Sequence, residues 1–252
     1  MTKADVPSKA KVLFVDVETA PSLGWAWSKW ETNIIDFKVA WYMLSFAYKW
    51  QGESSIHVAA LPDYALFKKD KENDRELVTD LWKLFDEADI VIAHNGDRFD
   101  IPKASTRFIA HGLKPPSPFK TIDTCKIARR LFKFDSNKLD DLGRYLGVGR
   151  KLPNTGFDLW RRCMVGDLSA WSTMCRYNIQ DVALLERVYL KLRAWDTTHP
   201  PVAPGQPETC PKCGSKDIQK EGFAFTAYRK RQRYSCKRCK GWFSGPAKGL
   251  DK

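Results

Sequence analysis

Apolar residues along the chain fall into short runs and helical stripes, and the polar residues between them set how those runs connect. Residues 11–17, centred on Val12, Leu13, Phe14 and Val15, predict a buried strand. Two more strands are predicted over 39–49 and 54–60, with Gln51, Gly52 and Glu53 turning one into the other as a hairpin. Over 72–88, Leu77, Leu81, Leu84 and Phe85 recur at helical spacing, and 89–93 follows as a buried strand. A helix starts near Pro102, which suits a first helical turn because its missing N–H has no partner there. A fifth strand covers 121–124, where Asp123 reads as the N-cap of a helix beginning near Cys125. Residues 138–147 read as a short helix ended by Gly147. Residues 168–195 read as a long helix held to a sheet by Leu184, Leu185, Val188 and Leu192. This order of elements predicts an α/β domain with a mixed sheet.

The pattern changes after residue 196. Residues 197–209 contain Pro200, Pro201, Pro204 and Pro207, which rule out a regular helix or central strand, so the stretch is expected to be a semi-rigid linker between separable domains, 1–196 and 210–245. Beyond it, Cys210-Pro-Lys-Cys213 and Cys236-Lys-Arg-Cys239 stand 22 residues apart, a spacing that fits four thiolates around one structural Zn2+. Phe223, Phe225, Trp242 and Phe243 alternate with basic residues here. Residues 205–252 hold 12 Lys and Arg against 4 Asp and Glu, so +8 of the chain's formal +12 is concentrated there and points to a polyanionic partner. Cys125, Cys163 and Cys175 read as reduced core thiols.

A 252-residue chain that is 43% hydrophobic can build one good core plus a small module. No apolar run approaches the ~18 residues of a membrane span, and residues 1–10 lack the apolar segment of a secretory leader. A cytoplasmic protein without a membrane partner is expected.

Candidate chemistry begins with Asp16-Val-Glu18-Thr19 at the end of the first strand. Residues two apart in a strand point the same way, so both carboxylates face one cleft, where a hard divalent cation relieves their repulsion. Asn95-x3-Phe99-Asp100 lies where a strand end meets a helix N-terminus, and Tyr177-x3-Asp181 shares one face of the long helix. Together these three motifs resemble the DEDD exonuclease superfamily, in its tyrosine-bearing branch, and are most similar to the proofreading exonuclease domains of family B DNA polymerases and their stand-alone relatives. The resemblance covers about residues 10–195. One departure is His94, where many relatives carry Tyr.

The resemblance implies an RNase H-like five-stranded sheet and a 3'-to-5' exonuclease. It makes Asp16, Glu18, Asp100 and Asp181 ligands of two Mg2+ or Mn2+, with Tyr177 orienting the attacking water. Thr19, Asn95 and Phe99 are expected to touch substrate. Lys138 and Arg144 are read either as phosphate contacts or as an ordinary solvated helix face. Single-stranded DNA is the first expected substrate, with RNA open and a replication or repair protein as a further partner. The rivals are a structure-selective endonuclease and a binding adaptor with a vestigial site. The C-terminal segment resembles the zinc ribbons at the ends of some DNA transposases, which implies a nucleic-acid-binding module, with protein docking as the alternative. Trp25, Trp27 and Trp30 are expected to pack over the sheet edge, Trp25 being the most exposed, with base stacking as the alternative.

Overall fold

The computed structural model describes residues 9–30, 33–153, 155–206, 208–225 and 229–245. The N-terminal residues 1–8, read above for a leader, and Pro207 of the linker lie outside this set. At the centre is β1 (Val12–Thr19), whose side chains alternate between two buried faces: Leu13, Val15 and Val17 join one apolar cluster, Val12 and Phe14 the other. The chain then forms a two-stranded ribbon, β2 (Leu23–Trp25) and β3 (Asp36–Val39), and returns as β4 (Met43–Trp50) and β5 (His57–Ala60). Helix α1 (Arg75–Glu87) leads to β6 (Ile90–Ala93), and α2 (Asp100–Ala110) leads to β7 (Lys120–Asp123). Helices α3 (Thr124–Leu131), α4 (Leu139–Tyr145), α5 (Phe157–Val165) and α6 (Leu168–Leu192) follow.

The sheet runs β5-β4-β1-β6-β7, with β1, β6 and β7 parallel and β4 and β5 antiparallel to their neighbours. This is the mixed five-stranded α/β sheet that the sequence predicts. Leu77 and Phe85 of α1, Phe108 of α2 and Leu159 of α5 cover one face; Ile127 of α3 and Leu142 of α4 cover the other. Helix α6 serves both. Ala170, Trp171 and Met174 enter the first cluster, whereas Val182, Leu185, Val188 and Tyr189 enter the second. Tyr177, Asn178 and Asp181 occupy the crossover, which is how one long helix brings polar side chains against the end of β1.

Several expectations are corrected. The single strand predicted over 39–49 is broken at residues 40–42, because β3 pairs with β2 rather than with the main sheet. Alternation reports which side chains share a face, not which neighbour a strand joins. The third strand starts at His57 rather than at residue 54, and α6 ends at Leu192 rather than at residue 195, whereas α2 starts at Asp100 with Pro102 in its first turn, as expected. The three tryptophans do not pack over the sheet edge. Trp25, Trp27 and Trp30 are 62%, 86% and 85% exposed, so Trp25 is the least exposed of them, and a two-stranded ribbon offers no second layer to bury them. Asp123 is the N-cap of α3, as expected, accepting from the N–H groups of Cys125 and Lys126.

After α6, the segment read as a linker is irregular but packed. Val202 is buried in the second apolar cluster, accepts a hydrogen bond from the Ala10 N–H at 2.9 Å, and donates its own N–H to the Pro211 carbonyl at 2.8 Å. Proline excludes helix and ladder bonding without excluding burial. Strands β8 (Ile218–Phe225), β9 (Lys230–Cys236) and β10 (Trp242–Ser244) then form a small antiparallel sheet in the order β10-β9-β8. Among the described residues, no helix is long and apolar enough to cross a membrane.

Candidate active site and metal clusters

Asp16 and Glu18 leave β1 on the same face and meet Asp181 of α6, each offering a carboxylate oxygen within 4.8 Å of the others. Asp100, the first residue of α2, is not one of these three converging carboxylates but is near enough to repel Asp16. Its Oδ1 accepts the Val17 N–H at 2.9 Å, which ties the helix start to β1. All four acids feel burial. It pushes Asp16 well above the ordinary carboxylate range, with repulsion from Glu18, Asp100 and Asp181 adding to the shift. Glu18 is pushed up to about 7 by burial and by Asp181. Asp100 is pushed up to about 7 by burial, opposed by the Val17 N–H, and Asp181 is raised by burial, opposed by Lys151. Tyr177 is pushed up to about 12 by burial and by Asp181, so near neutral pH its hydroxyl keeps its proton.

Four residues that sequence reasoning did not single out hold this cluster. Lys151 places Nζ 2.6 Å from Asp181 Oδ2 and 3.1 Å from the Tyr177 hydroxyl. Burial works against its charge, but Asp181 outweighs burial and raises its pKa. Asn178, fully buried, donates to Asp16 Oδ2 at 2.6 Å and to the Asp16 carbonyl at 3.1 Å, and the Ser45 hydroxyl donates to its Oδ1 at 3.0 Å. Trp160 of α5 donates its indole N–H to Glu18 Oε2 at 3.1 Å and meets the Tyr177 ring edge to face at 6.1 Å. Asn178 had a signal in the sequence, because its position three before Asp181 puts the two side chains on one helix face. Lys151 lies in an irregular loop and Trp160 on an unpredicted helix, so neither had a periodic signature.

The donor set fits a hard cation. It is all oxygen, three ligand atoms converge, and Asp181 Oδ1 is buried without any hydrogen-bond partner. Comparison with known proteins agrees with this architecture: a family profile described as RNase_H_2, of the RNase_H superfamily, matches residues 38–193.

The chain belongs to the RNase H superfamily. The matched span contains Asp100, Tyr177 and Asp181 but not Asp16 or Glu18. Among solved structures, the RNase H-like domain is similar to the family B DNA polymerase from the hyperthermophilic archaeon Pyrobaculum calidifontis, with a TM-score of 0.50 and 18% identity over 76% of this chain and 26% of the polymerase. At that identity the likeness is one of fold, and the chain spans about a quarter of the polymerase's length. No curated protein matches the sequence.

The other sequence-predicted residues of this RNase H-like domain are dispersed around the acids. Thr19 ends β1, where the pairing with β4 shifts register. Asn95 follows β6 with φ of 63° and donates its N–H to Asp123 Oδ1 at 2.9 Å. Phe99 is 38% exposed at the start of α2, and Lys103 Nζ lies 5.8 Å from its ring centre and 3.6 Å from that of Trp41. Lys138 lines a cavity of about 650 Å3 that also touches Lys151. Arg144 instead pairs with Asp140 and Asp141 of its own helix, at 2.9 and 2.7 Å, and lines a separate hollow with Phe134 and Tyr145. His94 is structural. Burial pushes its pKa down to about 4, and its ring nitrogens meet the Thr124 hydroxyl at 2.8 Å and the Asn137 carbonyl at 2.9 Å, which assigns the neutral ring with the proton on Nε2.

The second cluster is Cys210, Cys213, Cys236 and Cys239, whose sulfurs all lie within 4.8 Å of one another. The Cys210–Cys239 and Cys213–Cys236 sulfurs are both 3.6 Å apart. Tetrahedral zinc with Zn–S bonds near 2.3 Å requires about 3.8 Å, so the thiols stand in a cage of the right size. Lys212, between the first two cysteines, is buried and donates Nζ to the Ala194 carbonyl at 2.6 Å, which seats this knuckle on the end of α6.

Proposed function

We propose that the protein is a metal-dependent 3'-to-5' exonuclease that hydrolyses single-stranded DNA, with a zinc ribbon assisting in strand binding. The observation that carries this reading is the convergence of Asp16, Glu18 and Asp181, with Asp100 and Tyr177 beside them, at the end of β1. Exonucleolytic mode, direction and the preference for DNA rest on the resemblance of these motifs to the tyrosine-bearing DEDD nucleases.

Asp16, Glu18 and Asp181, backed by Asp100, would hold two Mg2+ or Mn2+. Bound there, such ions lower the pKa of a water and stabilise the entering and leaving oxygens of a phosphoryl displacement. The protein's own groups do the positioning. Asn178 fixes the Asp16 carboxylate and Trp160 the Glu18 carboxylate, so neither acid is free to turn away. Tyr177, which retains its proton, donates or accepts one hydrogen bond to align the attacking water rather than deprotonate it. Lys151 supplies a positive charge that suits a phosphate oxygen. On the ribbon, Lys230 Nζ lies 3.8 Å from the centre of the Phe223 ring, and Phe225 and Trp242 are exposed nearby. Cations interleaved with aromatics support contact with a nucleic-acid backbone and its bases.

One observation favours a rival: the Lys151–Asp181 ion pair neutralises part of the cluster without metal, as a binding adaptor would need. Linear and circular single strands, of DNA and of RNA, offered with Mn2+ separate the readings. Loss of linear DNA with circles intact is expected. Cleavage of circles turns the assignment to an endonuclease, faster loss of RNA turns it to an exoribonuclease, and retention of every strand with binding intact turns it to the adaptor.

A further inference from the structure

One cavity adjoins the acid cluster through Lys151, the partner of Asp181, and a second shares its wall. The first, of about 650 Å3, reaches from Lys151 past His94 and Lys138 to Arg129. The second, of about 450 Å3, continues from Arg129 past Arg98 and Lys126 to Thr198 and Pro200. Asn95 and Arg129 line both, so the two hollows meet over the C-terminal ends of β6 and β7. Each falls within the ~300–1,000 Å3 that suits a nucleotide-sized ligand.

The charges in this trough are unequal in their commitments. Lys126 is paired with Asp97, Arg130 with Asp196 and Asp140 with Arg144, and the Asp123 carboxylate caps α3, which leaves Asp135 as the exposed carboxylate of the lining. Arg98, Arg129 and Lys138 are exposed and, among the described residues, have no carboxylate partner. Asn137, in the first cavity, keeps its buried Oδ1 without a donor. A concave surface with uncommitted cations spaced along it is complementary to a chain of phosphates. The far end is also informative. Asp196, Thr198 and Pro200 belong to the segment that leads into the ribbon, and Lys212 of the ribbon is bonded to Ala194 immediately before it.

We propose that these cavities form one groove for the single strand on the 5' side of the scissile phosphate. The strand runs from the acid cluster over the ends of β6 and β7 to the ribbon, with Arg98, Arg129 and Lys138 as phosphate contacts. The proposal rests on the nuclease reading above and adds the strand's path. It makes the ribbon the end of a continuous track rather than a tethered accessory.

The test uses the full chain with Arg98→Ala and Arg129→Ala combined. Binding of a labelled single strand is measured against salt without added Mg2+ or Mn2+, and kcat/KM is then compared for a long strand and a dinucleotide. Single-strand binding loses about 0.7 of its log–log salt slope per phosphate contact, so a decrease of about 1.4 is expected, with the long-strand advantage in kcat/KM reduced about tenfold. An unchanged slope and ratio overturn the groove. The Arg98→Lys and Arg129→Lys pair should keep the slope; if it loses as much as the alanine pair, the arginines act on folding and the groove fails. Absence of hydrolysis by the unaltered protein refutes the nuclease reading alone, because the salt slope still judges the groove.

Discussion

Asn178→Ala is the perturbation whose outcome the structure specifies most fully. The side chain is fully buried, makes the only hydrogen bond to the Asp16 carboxylate among the described residues, and receives the hydroxyl of the equally buried Ser45. Truncation removes one charge-assisted bond and strands one buried hydroxyl, together about 3–5 kcal/mol when each is given its usual cost. For a chain of this size that is a fall in Tm of about 6–20 °C. The same change frees Asp16 to rotate, and loss of such a supporting bond weakens metal binding by about 10–100-fold. Thermal unfolding followed by circular dichroism, repeated along a Mn2+ titration, reads both effects at once. Ser45→Ala, which removes only the orienting hydroxyl, should cost about 1 kcal/mol and shift the Mn2+ midpoint less. The reasoning fails if Asn178→Ala unfolds within about 2 °C of the unaltered protein, below the shift expected for even ~1 kcal/mol, with the same Mn2+ midpoint.

Three further outcomes follow from the site. Because burial holds the Glu18 proton up to about 7 in the folded state against an ordinary value of 4.5, the protein without Mg2+ or Mn2+ is favoured below pH ~4 and loses up to about 3 kcal/mol as pH rises through 7. Glu18→Gln has no such proton to lose, so its Tm advantage should grow from pH 4 to pH 8, and a gap independent of pH would contradict the buried cluster. Lys151→Met removes the cation beside Asp181, so Mn2+ should raise Tm by more in this variant than in the unaltered protein; a smaller rise means that the lysine does not hold the place of a cation. Purified protein should contain one zinc per chain by metal analysis, and Cys213→Ser should lose it, whereas a zinc-free protein would show that the thiol cage has another purpose.

The sequence carried the parts of this molecule that repeat with a period or sit in a short motif. Alternation in β1 put Asp16 and Glu18 on one face, and the three-residue gap between Tyr177 and Asp181 put both on the β1 side of α6, because those offsets are built into strand and helix geometry. Paired Cys-x2-Cys motifs likewise announced the thiol cage. What could not be read were contacts between segments far apart in the chain. Lys151 reaches the acids from a loop, Trp160 from a nine-residue helix bracketed by glycines, and Asn178 depends on Ser45, 133 residues earlier. The β2–β3 ribbon was hidden because its alternation runs directly into that of β4. Val202 shows the same limit at the other end, since prolines disclose irregular backbone but not the core into which it packs.

The central claim is that the acids on β1, α2 and α6 cut a strand from its 3' end. A 5'-labelled single-stranded DNA incubated with the protein and Mn2+, with products resolved over time, tests it most directly beside Asp181→Ala and Tyr177→Phe. The account predicts a ladder that shortens stepwise from the 3' end, slowed by Tyr177→Phe and nearly abolished by Asp181→Ala. A ladder that persists undiminished in Asp181→Ala, or a strand that stays whole with the unaltered protein, would contradict it.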